Sequence, residues 1–144
     1  MLQKCRAGQW SIDDLDWSVP PPALSPDDER AVVQYFTDMA GIERLAGALF
    51  QLQSEKVRDP ILREILASFV VDEVRHSHAA QRLADHYDVH HFRVYQQNAH
   101  LSRFTRHFVE VVRKAPPDIA TTYILTGELI LDIALLRSLD DFVE

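Results

Sequence analysis

The chain has 144 residues, the usual size of a single domain, and a formal net charge of −7. That acidic balance, with no basic stripe along the sequence, argues against nucleic acid as the main partner. The single cysteine, Cys5, cannot form an internal disulfide, and no run of about 18 uncharged apolar residues occurs. Composition therefore predicts a soluble, cytoplasmic protein with no membrane segment.

Residues 1–24 lack a helical pattern, and we expect them to form an extended N-terminal arm. Trp10 and Trp17 lie among acidic residues, and prolines occupy positions 20–22. The fixed φ of proline favours extended backbone there. We expect the tryptophans to pack on the helical domain that follows, residues 25–144. Binding of a partner chain by the arm is the alternative.

Two strong helix starts follow the arm. Ser25 can cap a helix whose first residue is Pro26, with acidic residues in its first turn, and Asp59-Pro60 repeats the signal. Apolar residues at helical spacing then predict helices over 26–54 and 60–87.

The second half of the chain predicts a shorter amphipathic helix over 98–114 and a last helix over 117–138. A polar stretch, residues 88–97, precedes the shorter helix as a loop, and Pro116-Pro117 separates the two helices. The last helix is apolar nearly all round, which predicts a central, buried position. The fold class is therefore all-α, a bundle of three long helices and one shorter crossover helix.

Charged residues interrupt the apolar stripes of the three long helices. The first stripe contains Glu43, the second contains Glu73 and His76, and the last helix carries Glu128 and Asp132 on one face. These side chains are therefore predicted to project into a single core. Burying a carboxylate costs several kcal/mol unless it is paired, protonated or bound to a cation.

A bound metal ion is the simplest way to compensate the negative charge of these buried acids. Glu73 and His76 are three positions apart, so both can reach one ion from the same helix face. Oxygen ligands with one imidazole favour iron or manganese. The alternative is a polar core network in which the acids pair with Arg44, Arg75 and His76.

The run Asp72-Glu73-Val74-Arg75-His76 resembles the Asp-Glu-x-Arg-His signature of the ferritin-like di-iron carboxylate proteins. The resemblance covers about residues 26–139 and implies a ferritin-like four-helix bundle. In that bundle Glu43 would be the first-helix ligand, Glu73 a bridging carboxylate and His76 a terminal ligand. The implied cofactor is iron, two ions per site, with manganese as an alternative.

The resemblance also assigns Glu128 as the third-helix carboxylate. Asp72 and Arg75 resemble residues that, in the family, orient a histidine and tie neighbouring helices. The 52 residues from His76 to Glu128 leave room for a crossover helix, as in the oxygenase branches, among which the p-aminobenzoate N-oxygenase type is most similar.

The chain departs from the family in lacking a fourth ligand helix with a second Glu-x-x-His. Two explanations are open. The chain is a truncated piece of a longer oxygenase, or a second copy completes the bundle as a homodimer with a symmetric site.

Asp132 lies one turn beyond Glu128, and the resemblance places it beside the oxygen pocket. There it could act as a catalytic acid. Pairing with an arginine such as Arg63 or Arg75 is the alternative.

The resulting functional prediction is a di-iron oxidoreductase that activates O2 to oxidise a small organic substrate, with electrons from a separate donor. Two alternatives are open: a ferritin-like iron-binding or ferroxidase protein, and a metal-free helical interaction module. An apolar pocket beside Glu128 and Asp132 would favour the oxygenase, whereas an acidic channel to the surface would favour iron handling.

Overall fold

The computed structural model describes residues 2–92 and 96–143, and all regular structure in this part of the chain is helical. Four main helices confirm the predicted all-α bundle of three long helices and one shorter one. In chain order, the elements are α1 (Leu2–Ala7), a 3-10 turn (Ile12–Asp14), α2 (Pro26–Lys56), α3 (Pro60–Tyr87), α4 (Ala99–Lys114) and α5 (Pro117–Val143).

The predicted helix starts are confirmed by their caps. The Ser25 hydroxyl accepts a hydrogen bond from the Asp28 backbone N–H, and the Asp59 carboxylate accepts from the first turn of α3. Both helices begin with proline, which lacks the N–H that a first helical residue would leave unpaired. The last helix continues past its predicted end at 138 to Val143.

The prediction that the N-terminal arm contains no helix was wrong. Helix α1 forms because Leu2–Ala7 are residues with good helix propensity, and it ends at Gly8. The predicted packing of the tryptophans is confirmed. Trp17 lies edge-on against His86, with the Arg82 guanidinium 5.4 Å from its ring centroid. The arm is therefore attached along α3.

Helices α2 and α3 form the centre of the molecule, a long hairpin joined by residues 57–59. Helix α4 and one side of α5 pack on α2, and within the described part of the chain α5 makes no contact with α3. The core therefore lies mainly between α2 and its three neighbours. Its buried residues are Leu45, Ala46, Leu49, Phe50, Leu66, Phe108, Val112, Ala120 and Ile124.

Lys56, the last residue of α2, joins that helix to the end of α4. Its Nζ donates to the carbonyl oxygens of Val112, Arg113 and Ala115, at 2.8, 3.1 and 3.3 Å. The last carbonyls of a helix have no partner within it and carry partial negative charge. A lysine ammonium there caps α4 and fixes the corner from which α5 departs.

The prediction that the last helix is central and buried was wrong. Only a narrow side of α5 is covered, with Ala120 and Ile124 at 1% and 2% exposure. Leu129 and Ile130, on other sides, are each 61% exposed. An all-round apolar pattern predicts burial only if other elements surround the helix, and α5 contacts only α2 and α4.

No described helix is long and apolar enough to cross a membrane.

Candidate metal centre

Three of the four predicted ligands, Glu43, Glu73 and His76, meet between α2 and α3. One ligand atom from each lies within 4.8 Å of the other two. The Nδ1 atom of His76 is 3.4 Å from Glu73 Oε2 and 3.7 Å from Glu43 Oε2. We call these three residues the triad. They offer two carboxylates and one imidazole to a common point.

The close approach of α2 and α3 brings the triad together. Gly47 faces Glu73, and a β-carbon at position 47 would lie 3.3 Å from the Glu73 β-carbon. One turn from Glu73, the Ser77 hydroxyl donates to the Ala40 carbonyl at 3.0 Å and accepts from Arg44 at 3.2 Å. These buried contacts fix the rotation of the two helices, so the two glutamates face each other.

The triad is mostly shielded from water, and its side chains differ in exposure. The side chains of Glu73 and Glu43 are 11% and 17% exposed, whereas that of His76 is 43% exposed. Among the described residues no lysine or arginine forms an ion pair with either glutamate, because Arg75 pairs with Asp72 and Arg44 bonds Ser77. Of the polar network considered from the sequence, the part formed by Arg44 and Arg75 is therefore absent around the two glutamates, whereas the part formed by His76 is present.

The three groups shift one another's protonation. Burial, with the adjacent Glu43 carboxylate, raises the pKa of Glu73 to about 7. Hydrogen bonds to Glu43 and Glu73 raise the pKa of His76 to about 10. Burial opposes ionisation of Glu43, but its hydrogen bonds to His76 and Glu73 outweigh this and hold its pKa below the ordinary value. Without a metal, His76 is therefore protonated at neutral pH, Glu43 is ionised and Glu73 is about half protonated, so the imidazolium compensates most of the negative charge of the two acids.

The N-terminal arm covers the outer side of the triad. The Trp10 ring stacks on His76, with centroids 6.0 Å apart and planes 20° apart. Gln9 donates to Asp72 at 3.0 Å and also accepts from Arg75, which pairs with Asp72 at 2.8 Å. Asp72 and Arg75 thus tie the arm to α3 beside the triad.

An open cleft of about 360 Å³ lies between the arm and α3 and reaches the triad. The arm contributes Lys4, Gly8, Gln9 and Trp10, and α3 contributes Phe69, Asp72, Glu73 and His76. This cleft gives small solutes a route from the surface to His76.

Glu128 does not join the triad in the structure. It is half-buried on α5 and lines a second cavity of about 300 Å³ between α2, α4 and α5, whose walls are otherwise mainly apolar. Ile42 and Ala46 form the α2 wall, adjacent to Glu43 in sequence, but no triad residue lines the cavity. The expected convergence of four ligands is therefore incomplete. Asp132 lies within α5, and its side chain is outside the part that the structure describes.

The sequence analysis did not identify a second pair, Glu29 and His90. The Glu29 carboxylate is 3% exposed and lies 2.6 Å from His90 Nδ1, and it also accepts from the His90 backbone N–H at 2.8 Å. Despite burial, these hydrogen bonds and the positive charge of His90 lower the pKa of Glu29. The sequence does contain a signal for the burial of Glu29, though not for its partner: Glu29 lies four residues before Val33, on the same helix face.

No protein-family model, curated protein or solved structure matches the chain.

Proposed function

We propose that the protein binds iron, or manganese, through the triad and uses it to oxidise a small organic substrate with O2. The supporting observation is the convergence of Glu43, Glu73 and His76, two carboxylates and an imidazole with no arginine or lysine between them. Hard oxygen donors with one imidazole suit these divalent ions. Bound there, such an ion would supply the electrons and Lewis acidity of O2 chemistry.

The donor set fits one ion. Three protein ligands leave coordination positions for water, O2 or substrate, and the exposed edge of His76 borders the open cleft. A two-iron centre, as the ferritin-like resemblance implies, needs further carboxylates. Glu128 is the nearest candidate by sequence pattern, and it would have to turn from its cavity toward Glu43. A symmetric site with a second copy would require the arm to leave the triad.

The cavity beside Glu128 favours oxidation of an organic substrate. Its volume of about 300 Å³ is within the range of small-molecule sites, and mostly apolar walls with one carboxylate suit an apolar molecule carrying a polar group. A separate electron donor would be required for repeated turnover.

Iron handling without an organic substrate is the second candidate, and the cleft between the arm and α3 favours it. The cleft leads aqueous ions directly to His76, as uptake or oxidation of Fe(II) would require.

Metal binding is tested first, with Mn(II) titrated by calorimetry and with elemental analysis after anaerobic incubation in Fe(II). We expect one ion per chain, and more than roughly 100-fold weaker binding in Glu73→Gln and His76→Ala. His78→Ala is the matched control, because His78 is exposed on the same helix and outside the triad. Unchanged binding in both triad variants would contradict the proposal.

Whether the metal oxidises an organic substrate in the cavity is tested with Gly127→Leu. Gly127 lines the cavity and a β-carbon there meets no atom within 4 Å, so we expect a leucine side chain to occupy part of the cavity. We expect this variant to bind Mn(II) normally, to lose binding of indole as an apolar probe, and to lose O2-dependent oxidation of indole by the iron-loaded protein. Rapid oxidation of Fe(II) with no binding of indole by the unmodified protein would favour iron handling.

A further inference from the structure

The exposed side of α5 is the largest feature that the proposed metal site does not explain. Six large apolar side chains on this helix are each about half exposed or more. They are Ile119, Tyr123, Leu125, Leu129, Ile130 and Ile133, with exposures from 48% to 61%. We call this surface the α5 face. A monomeric protein rarely leaves so many large apolar side chains together in water.

Two described charged residues border the apolar side chains of the α5 face, Asp118 at the start of the helix and Arg137 one turn after Ile133. Thr122 and Thr126 lie between its apolar residues, and their hydroxyls donate to backbone carbonyls one turn earlier, at 2.9 and 2.8 Å. Glu128 is half-buried and lines the cavity under α5. The face therefore offers little hydrogen-bonding capacity to a polar partner.

The α5 face also continues onto α4. Phe104 is 50% exposed and stacks on Phe108, whose ring is in turn 4.8 Å from Tyr123. Large side chains at about half exposure give on the order of 500 Å² of apolar surface. A symmetric pair of such faces would bury about 1,000 Å², the size at which specific interfaces begin.

We propose that the α5 face binds the α5 face of a second copy of this chain, forming a symmetric dimer. The exposed apolar area favours this occupant. Net charges of −7 on both copies oppose association, so two copies should meet through the side of α5 on which apolar residues dominate. An anionic lipid surface would instead require several lysines or arginines, and α5 carries a single one, Arg137.

This interface differs from the symmetric metal site considered from the sequence. It lies on α5, which does not contact α3 in the described part of the chain, and leaves the triad within each copy. Dimerisation is therefore expected with or without metal, and loss of metal binding in triad variants would leave it unchanged.

Sedimentation and light scattering between about 1 and 100 µM test the proposal. We expect a dimer for the unmodified protein and at least roughly 30-fold weaker association for Leu129→Lys/Ile133→Lys, because two copies of each lysine would face one another. The matched control is Val71→Lys/Val74→Lys on α3, whose residues are 54% and 48% exposed. Circular dichroism checks that every variant remains helical.

A cysteine near the two-fold axis gives a second measurement. In an isologous interface, a residue at the axis lies beside its own copy. Thr126→Cys in a Cys5→Ser background should form intermolecular disulfides at least about tenfold faster than Val71→Cys in the same background. A monomer at about 100 µM, or a dimer unaffected by the α5 lysines, would overturn the proposal.

Discussion

The α2–α3 hairpin and α5 distribute polar and apolar groups in opposite ways. The hairpin buries two carboxylates within its contact surface, whereas α5 presents leucine and isoleucine to solvent. Each arrangement costs free energy in an isolated chain. The contrast teaches where the two proposals come from: the buried carboxylates of the hairpin, which pair with His76, suggest a cation site, and the exposed apolar residues of α5 suggest a second apolar surface.

Local stability should show the largest difference between the regions. In dilute solution, amides in the centres of α2 and α3 should exchange hydrogen roughly 100-fold more slowly than those of residues 125–134, because α5 is packed on one side only. Raising the protein concentration should slow exchange in α5 and leave the hairpin unchanged. Hydrogen exchange with mass spectrometry measures both rates. Equal exchange rates in the hairpin and in α5 of the monomer would contradict this difference in stability.

Truncation of a core residue in the hairpin should have the next largest effect. Leu49 is 2% exposed in the core between α2, α4 and α5. We expect Leu49→Ala to lower the free energy of unfolding by about 3 kcal/mol, from lost burial and the cavity left behind. Leu62→Ala, at a position that is 46% exposed on α3, should cost less than about 1 kcal/mol. If urea unfolding gave the same loss of free energy for both variants, the assignment of Leu49 to the core would be wrong.

One of the fully buried side chains of α2 is polar. Gln53 is fully buried on α2, and neither its Nε2 nor its Oε1 has a hydrogen-bond partner among the described residues. Gln53→Met keeps the shape and removes the unpaired groups, so it should raise the free energy of unfolding by about 1–2 kcal/mol. Gln51→Met, at an exposed position on the same helix, is the control and should change little. A destabilised Gln53→Met protein would mean that the amide does bind a group.

The pH dependence of the metal-free protein should give the smallest effect. The pKa of Glu73 is raised from 4.5 to about 7, so the folded state holds a proton that the unfolded state releases. Its contribution to stability is present below pH 4.5 and is lost as pH rises to about 7. Relative to the unmodified protein, Glu73→Gln should therefore gain on the order of 1 kcal/mol over this interval.

Urea unfolding at several pH values measures that difference, with His78→Ala as a control that should show no such trend. His76 acts in the same direction at higher pH. Its pKa is raised from 6.5 to about 10, so its contribution is present below pH 6.5 and declines toward pH 10. A relative loss of stability in Glu73→Gln between pH 5 and 7 would contradict the shift assigned to Glu73.

The helices and most of the triad could be predicted because their signals are local. Capping residues define the starts of α2 and α3, and the spacing of apolar residues identifies Glu43 and Glu73 as exceptions on inward-facing stripes. Helix periodicity gives the direction of a side chain relative to its own helix. It does not give the element that lies opposite.

The wrong predictions also arise because helix periodicity does not show which element lies opposite a side chain. The pattern of α5 is that of a buried helix, but whether other elements cover it depends on the arrangement of the whole chain. Glu128 lies on the expected helix, yet the path of α5 along α2 and α4 directs it into the cavity and away from the triad. The pairing of Glu29 with His90 joins residues 61 positions apart and has no local signature.

Gly47 shows how a residue without a donor atom would influence the proposed metal site. Because this position contributes only a hydrogen atom between the helices, the span between the two carboxylates is set by the distance between helix axes at that level. A methyl group in its place would act as a wedge, lengthening that span while leaving every ligand intact. If the triad binds an ion as proposed, the ionic radius that the two carboxylates accept would therefore depend partly on a glycine that contributes no ligand.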